Sequence, residues 1–407
     1  MLLWKKVLLG LILGVFLGFI LGDKVVYLKP FGDLFIRLIK MVIVPVIFFA
    51  IVGGITSAEN SKAIGRVGFK ASLAYIGTTI FAVLIGLTVG TLLKPGSGLK
   101  LDFSEKFTQI PEGNNLGRIL ETLLEIVPDN AIGAMAQGAI LQVVFFALFT
   151  GITINKLEKT DFNQIRDFIA ILSKLVFKMV NLIIQLSPIA ACALTAWVIG
   201  TQGAEILVNL AAVIFCAYFA FAIQYVFFGV MIKVFTGLSP KPFFKKSFEY
   251  QAIAFSTSSS KAALPTTIDV CHKKIGISKF SSSFVLPLGA SINMDGIAIY
   301  ISICALFFAQ ATGKVLGFGD YGLIAFMATL GSIGGAGIPS GTIVMLPMVL
   351  GAVGLPLDGI ALIVGVDRII DMMRTTISIT GDAAVTLCID HSEGTLNEEK
   401  YYKLDLV

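Results

Sequence analysis

Within residues 366–382 the chain reads VDRIIDMMRTTISITGD, and Asp367, Asp371, Arg374, Ser378 and Asp382 recur in it at helical spacing. At 100° per residue the five fall within an arc of roughly 80°, so one face of this helix is charged and polar while the surrounding segment, 356–389, is apolar. A charge near the centre of a bilayer costs roughly 2.5–3.5 kcal/mol on insertion scales. Such a face turns toward partners or a wet cavity. Asp371 and Arg374 can neutralise each other, but Asp382 has no such neighbour. Neither does Asp295, which sits in SINMDGIAIY at 291–300, inside an apolar stretch covering 284–311. Two carboxylates without a cation ask for one from outside. Hard cations take oxygen ligands, and GASINMDG with Asp382 offers two carboxylates, the Asn293 amide and several carbonyls.

The elements that position these groups must be membrane helices. A chain of 407 residues that is 56% hydrophobic and 14% charged, with a mean hydropathy of +0.89, cannot hide its apolar side chains in a soluble globule. The net charge of +5 is scattered in short clusters rather than gathered on a basic face, which speaks against nucleic acid. The 5 cysteines lie in apolar surroundings without C-x-x-C spacing, so neither a disulfide framework nor a zinc site is expected. With only His272 and His391, histidine-centred metal chemistry is not expected either. Lys5 and Lys6 precede an apolar run with no small-x-small cleavage site, which reads as a first membrane helix rather than a signal peptide. Apolar segments long enough to span occur near 5–22, 33–57, 68–93, 131–155, 165–199, 206–235, 279–312 and 356–389. The expected fold is an all-α, multi-pass integral membrane protein with eight transmembrane helices.

Two further segments, near 244–272 and 317–352, are broken by FSTSSSKAALP and GSIGGAGIPSG. The basic clusters Lys5/Lys6, Lys62/Arg66/Lys70, Lys156/Lys159/Arg166 and Lys241/Lys245/Lys246 fall at every second boundary, which places them and both termini in the cytoplasm. Lys273, Lys274 and Lys279 put the far end of the 244–272 segment on the same side. A segment that enters and leaves on one face is a re-entrant hairpin. The poverty of positive charge at 313–320 and 353–358 makes 317–352 a second one, entering from the opposite face. Non-helical backbone at membrane depth survives only when packed in protein or lining a cavity, so the hairpin tips should line a site. Half-helix N-termini there suit an anion, and unwound carbonyls suit cations.

The motifs TSSSKAALPT (257–266), NMDG (293–296), GGAGIPSG (334–341) and DRIIDMMRTTISITGD (367–382), in this order, resemble those of the glutamate/aspartate transporter family, whose members are sodium- or proton-coupled symporters of dicarboxylates and amino acids. The resemblance covers nearly the whole chain. It implies inverted repeats, a homotrimer and an elevator mechanism. The expected division is scaffold helices at 1–65 and 131–204, a transport-domain helix at 66–94, an extracellular loop at 95–130, the rest of the transport domain at 205–391 and a cytoplasmic tail at 392–407. By the same resemblance Arg374 receives the substrate's side-chain carboxylate and Asp371 its amino group. Thr375, Ser378, Ser259, Ser260, Ile338, Pro339 and Gly341 hold the α-carboxylate and close the pocket. Gly289, Asn293, Ser378 and Asp382 form one ion site. Met294, Ser291, Ser332, Ile333 and Gly335 form a second, and Tyr75, Thr78, Thr79, Asn293 and Asp295 a third. Four positions depart from the family pattern: Ile297, Ser378 and Gly335 stand where relatives place threonine, asparagine and threonine, and Lys261 is unexpected beside a site for cations. Ile297 would line the side-chain pocket.

The expected function is therefore uptake of an acidic amino acid across the plasma (inner) membrane, coupled to sodium, with membrane lipids around it and no enzyme cofactor. Proton coupling and a C4-dicarboxylate substrate are the alternatives. A more distant one is an intramembrane aspartyl protease, because GFGD at 317–320 matches the Gly-x-Gly-Asp signature. That enzyme needs a second carboxylate at membrane depth, and no apolar span supplies a Tyr-Asp pair to partner Asp320. An open ion channel fits the charged, arginine-bearing stripe less well than a saturable site does.

Overall fold

The computed structural model describes residues 3–56, 62–99, 127–202, 205–334, 341–357 and 360–403, and among them every regular element is helical. In chain order the helices are α1 (Leu3–Leu21), α2 (Lys29–Thr56), α3 (Lys62–Leu93), α4 (Ala131–Gln137), α5 (Ile140–Ile154), α6 (Lys159–Ile184), α7 (Ser187–Gln202), α8 (Glu205–Thr236), α9 (Pro240–Thr257), α10 (Ser260–Val270), α11 (Lys279–Ile292), α12 (Asp295–Ala311), α13 (Phe318–Gly334), α14 (Gly341–Ala352), α15 (Ile360–Ser392) and α16 (Glu398–Tyr402). Arg66–Leu93, Leu207–Thr236 and the pair spanning Lys279–Ala311 are long and apolar enough to cross a membrane. Other expected spans are interrupted. The 131–155 segment breaks at Gly138, whose φ of 68° ends α4. The 165–199 segment is two helices, separated at Gln185 and Leu186, with Pro188 in the opening turn of α7, where a missing N–H costs nothing.

Two groups of helices pack around different centres. In the first, α1 lies along α7, and α2 packs against α5, α6 and α7. Gly10 and Gly14 permit the α1–α7 approach, since a Cβ there would stand 2.3 Å from the Pro188 oxygen and 2.6 Å from the Cys192 oxygen. In the second, α12 is enclosed by α3, α8, α13, α14 and α15, and of its residues only Gln310 escapes burial. In lipid this burial is rewarded by packing contacts rather than by escape from water. Small residues again set the distance: a Cβ at Gly86 on α3 would lie 2.6 Å from the Ile299 oxygen of α12.

Both broken segments fold as helical hairpins. α9 and α10 pack together and turn at Ser258, a non-glycine residue with φ 51°. Ser259 then caps α10 by accepting from the Ala262 N–H. α13 and α14 pack together likewise, and the base of their hairpin is tied by Lys314 Nζ donating to the Val353 carbonyl. The base of the first hairpin is tied more elaborately. The Lys246 ammonium, buried on α9, donates to the carbonyls of Lys274, Lys400 and Tyr401, each at 2.8 Å. The strap carrying α16 is further held by Asn397 N–H on the Gly276 carbonyl at 3.0 Å and by Tyr401 Oη on the Ser239 carbonyl at 2.8 Å. Nearby, Glu393 at the end of α15 pairs with Arg66 and Lys70 of α3. The hydrogen bond from Lys70, with that from Arg66, holds the Glu393 carboxyl below its usual range.

Candidate functional site

The expected single helix over 279–312 is interrupted where the chemistry is densest. α11 ends at Ile292, Asn293 is extended (φ −116°, ψ 113°), Met294 follows at φ −135°, and α12 restarts at Asp295. Neither glycine nor proline occupies the break. Its polar groups bond sideways to other helices instead, and it leaves α11 carbonyls and α12 amides at the middle of a buried pair.

Asp295, Asn293 and Asp382 are all fully buried. Asp295 Oδ1 accepts from Thr79 Oγ1 at 3.1 Å and Thr78 Oγ1 at 3.3 Å, and its Oδ2 accepts from Gln224 Nε2 at 3.2 Å. Asn293 Oδ1 lies 3.0 Å from Thr79 Oγ1 and 3.4 Å from Thr78 Oγ1, while its Nδ2 donates to Asp382 Oδ1 at 3.0 Å. Thr78 Oγ1 also stands 3.0 Å from the Tyr75 carbonyl. A hydroxyl has one proton to give. Two threonines therefore face three acceptors, the Tyr75 carbonyl, Asn293 Oδ1 and Asp295 Oδ1, and the cluster is short of protons. Asp382 Oδ2 is buried without a hydrogen-bond partner among the described residues. No Lys, Arg or His pairs with Asp295 or Asp382 in any ion pair among the described residues. Gly289 closes this pocket, because a Cβ there would stand 2.5 Å from Tyr75 Oη and 2.7 Å from Asp382 Oδ1. Tyr75 Oη itself donates to the Val285 carbonyl at 3.0 Å.

About three turns away along α15 the situation reverses. Asp371 is fully buried and flanked by two guanidiniums, with Arg374 Nη2 on Oδ1 and Arg368 Nη1 3.4 Å from Oδ2. Arg374 Nε is buried and lacks a hydrogen-bond partner among the described residues. Ser378 joins the two regions: its Oγ accepts from the Gly296 N–H and donates to the Arg374 carbonyl, both at 3.2 Å. Gly296 is pressed on the same carbonyl, where a Cβ would be 2.3 Å away. Thr375 Oγ1 bonds back to the Asp371 carbonyl at 2.8 Å, and Ile297 is buried in the first turn of α12.

The hairpins meet this region. Ser260 Oγ at the first tip is 4.0 Å from Met294 Sδ. From the second, Thr329, Ser332 and Ile333 line a cavity of about 250 Å³ together with Tyr75, Thr79, Leu288 and Ile292. Ser332 Oγ and Ser291 Oγ both bond to carbonyls of their own helices, Thr329 and Pro287, at 2.8 Å. Gly341 opens α14 and is buried. The expected site residues Gly335, Ile338 and Pro339, and residues 100–126 of the expected loop, lie outside the described residues. Asp320 is far from all of this in role: at the exposed start of α13 its Oδ2 accepts from the Gly317 N–H at 2.8 Å, an ordinary helix cap.

Sequence reasoning missed Gln224 and Arg368. Gln224 is one of two side-chain amides in the apolar α8, which is a signal of the same kind as Asp295. Arg368 follows Asp367 directly but falls at the edge of the polar face. Gln251 was missed as well; its Nε2 donates to Thr380 Oγ1 at 3.0 Å and joins the first hairpin to α15.

The profile described as the sodium:dicarboxylate symporter family matches residues 3–392. The chain is 33% identical over 404 residues to a proton/sodium-glutamate symport protein of Bacillus subtilis (strain 168), covering 97% of this chain and 94% of that one. It is 36% identical over 407 residues to a C4-dicarboxylate transport protein of Edwardsiella ictaluri, covering 98% and 94%. A C4-dicarboxylate transport protein of Yersinia enterocolitica is 35% identical over 395 residues, with 95% and 91% covered.

Proposed function

The chain belongs to the sodium:dicarboxylate symporter family, and from that premise we propose that it takes up an acidic amino acid, glutamate or aspartate, in symport with sodium. Membership makes it a membrane transporter and not an enzyme, so its residues bind, release and move without breaking covalent bonds. The observation that carries the ion reading is the shortage of protons and cations around Asp295, Asn293 and Asp382. A sodium ion is a hard cation with no proton to give and a preference for oxygen ligands. Thr78, Thr79, Asn293 and Asp295 offer it one cage. Asp382, Asn293 and the carbonyls near Gly289 offer another, and the break at Met294 with Ser291 and Ser332 a third. Arg374 is the clamp for a substrate carboxylate, since a guanidinium presents two parallel donors to it, and Asp371 takes the ammonium.

On this reading the second group of helices, with both hairpins, carries its cargo past the first as an elevator. The assembly is a homotrimer, both termini are cytoplasmic, and residues 205–391 with α3 travel together. The α3–α12 contact supports that last point, because Thr78 and Thr79 complete the cage around Asp295 and backbone meets backbone at Gly86. The names of the relatives also accommodate a second reading, in which protons drive uptake or a C4-dicarboxylate is the cargo. Uptake of labelled aspartate, glutamate and succinate into proteoliposomes separates these. Accumulation under an imposed sodium gradient at equal pH supports sodium coupling; accumulation only under a proton gradient overturns it and makes a buried carboxylate the proton carrier.

A further inference from the structure

Resting on the reading of Arg374 and Asp371 as the substrate clamp, the geometry points to Arg368 as a specificity-determining residue that lets one site accept acidic amino acids and ammonium-free dicarboxylates alike. Asp371 divides its two oxygens between two guanidiniums, Oδ1 to Arg374 and Oδ2 to Arg368. Arg374 is nearly closed off from solvent, with 3% of its side chain exposed, and Asp371 is completely so. A substrate carboxylate arriving at Arg374 therefore competes with Asp371 for the same Nη2 donor. When the substrate wins, Oδ1 of a fully buried carboxylate is released from that guanidinium.

What happens next depends on the cargo. An acidic amino acid brings an ammonium, which can occupy the released Oδ1. A dicarboxylate such as succinate brings none. It would leave a buried carboxylate beside a second negative charge, which is strongly unfavourable. Arg368 prevents that, because it holds the other oxygen and never has to leave it. Its side chain is 13% exposed, its Nε is buried without a hydrogen-bond partner among the described residues, and it follows Asp367 on the same helix. One guanidinium thus serves the cargo and the other serves the carboxylate that the cargo displaces. Arg368 is a positioning residue: it touches Asp371, not the substrate.

The test is uptake of labelled aspartate and labelled succinate by wild type and Arg368→Gln in proteoliposomes, with half-saturating concentrations for both. Arg368→Gln is expected to raise the succinate value roughly tenfold or more while the aspartate value stays within a few-fold. Arg368→Lys should recover most of the succinate affinity. The double variant Asp371→Asn/Arg368→Gln, which no longer has a carboxylate to compensate, should take succinate again and lose aspartate. Succinate and aspartate declining in step, or succinate unaffected, would overturn the inference. So would a wild type that takes up aspartate and ignores succinate, an outcome that leaves the aspartate reading intact. Should Arg368→Gln give no measurable uptake of either compound, so that neither half-saturating value can be read, the double variant decides: renewed succinate uptake supports the role of Arg368, and its continued absence refutes it. A wild type that moves neither compound sinks the functional reading and this inference with it.

Discussion

Asp371 and Asp382 stand on the same face of α15, equally buried, and their surroundings are opposite. Asp371 has a guanidinium on each oxygen. Asp382 has one amide proton from Asn293, an oxygen with no partner among the described residues, and Asp295 as its charged neighbour across Asn293. A carboxylate already matched by fixed cations is a device for handling an anion, because an incoming anion can replace it at the guanidinium. A carboxylate matched only by neutral donors is a device for handling a cation. The difference is made by the side chains within reach, not by depth: two arginines three residues away on α15 for Asp371, and only the amide at the α11–α12 break for Asp382.

The largest effect should come from removing the guanidinium of the first region. Arg374→Cys is expected to cut acidic-substrate uptake roughly a hundredfold or more, since it removes the cargo's guanidinium and leaves the cargo carboxylate unpaired beside Asp371. It should also open the site to neutral amino acids. Unchanged aspartate kinetics would erase the contrast between the two carboxylates. In the second region, Asp382→Asn should raise the half-saturating sodium concentration by at least about tenfold, with aspartate affinity at saturating sodium nearly kept. A sodium titration that superimposes on wild type would show that Asp382 is structural. Gly289→Ala pushes a methyl at Tyr75 Oη and Asp382 Oδ1; overpacking of this kind costs about 1–3 kcal/mol. It should weaken sodium severalfold without altering the aspartate-to-glutamate preference. If that preference moves instead, the two regions are not separate. Ile297→Thr, beside the clamp, should do the converse. Competition binding should show the aspartate-to-glutamate ratio shifted severalfold at an unaltered sodium midpoint.

The smallest effect belongs to a carboxylate outside the bilayer. Glu393 is paired with Lys70 and Arg66, both substantially exposed, and such pairs are worth about 0–1 kcal/mol. Its pKa is lower folded than unfolded. The pairing therefore contributes above the ordinary carboxylate range and is lost as pH falls through the lowered value. Glu393→Gln should leave both midpoints within about twofold near neutral pH. A larger change would mean that the rim pair is coupled to the sites.

How far the sequence discloses this depends on whether a feature breaks a local rule. Asp295, Asp371, Arg374 and Asp382 are legible because charge in an apolar helix has few explanations, and the hairpins are legible from polar and glycine clusters between like-charged ends. The break at Asn293 and Met294 is not: no helix breaker marks it, and the cause lies in Thr78, Thr79 and Asp382, brought in from α3 and α15. The split between α6 and α7 is hidden for a related reason, as apolar residues lie on both sides of it and only Gln185, Ser187 and Pro188 hint at a new start. Arg368 escapes notice because a sequence pairs residues by spacing, and Arg374 already satisfies Asp371 on paper. Its role needs the two separate oxygens of one carboxylate.

The three carbonyls gathered on Lys246 also impose an order of biosynthesis. One comes from Lys274, but the other two belong to Lys400 and Tyr401, made more than 150 positions after the lysine they hold. While the ribosome is still adding α11 to α15, the first hairpin is already made, and its ammonium lacks those two carbonyls. Its base closes after the last helices have arrived. The first hairpin is thus among the earlier parts of the second group to be made and among the last to be completed, and a nascent chain released before Tyr401 would carry α1 to α15 with that base unsealed.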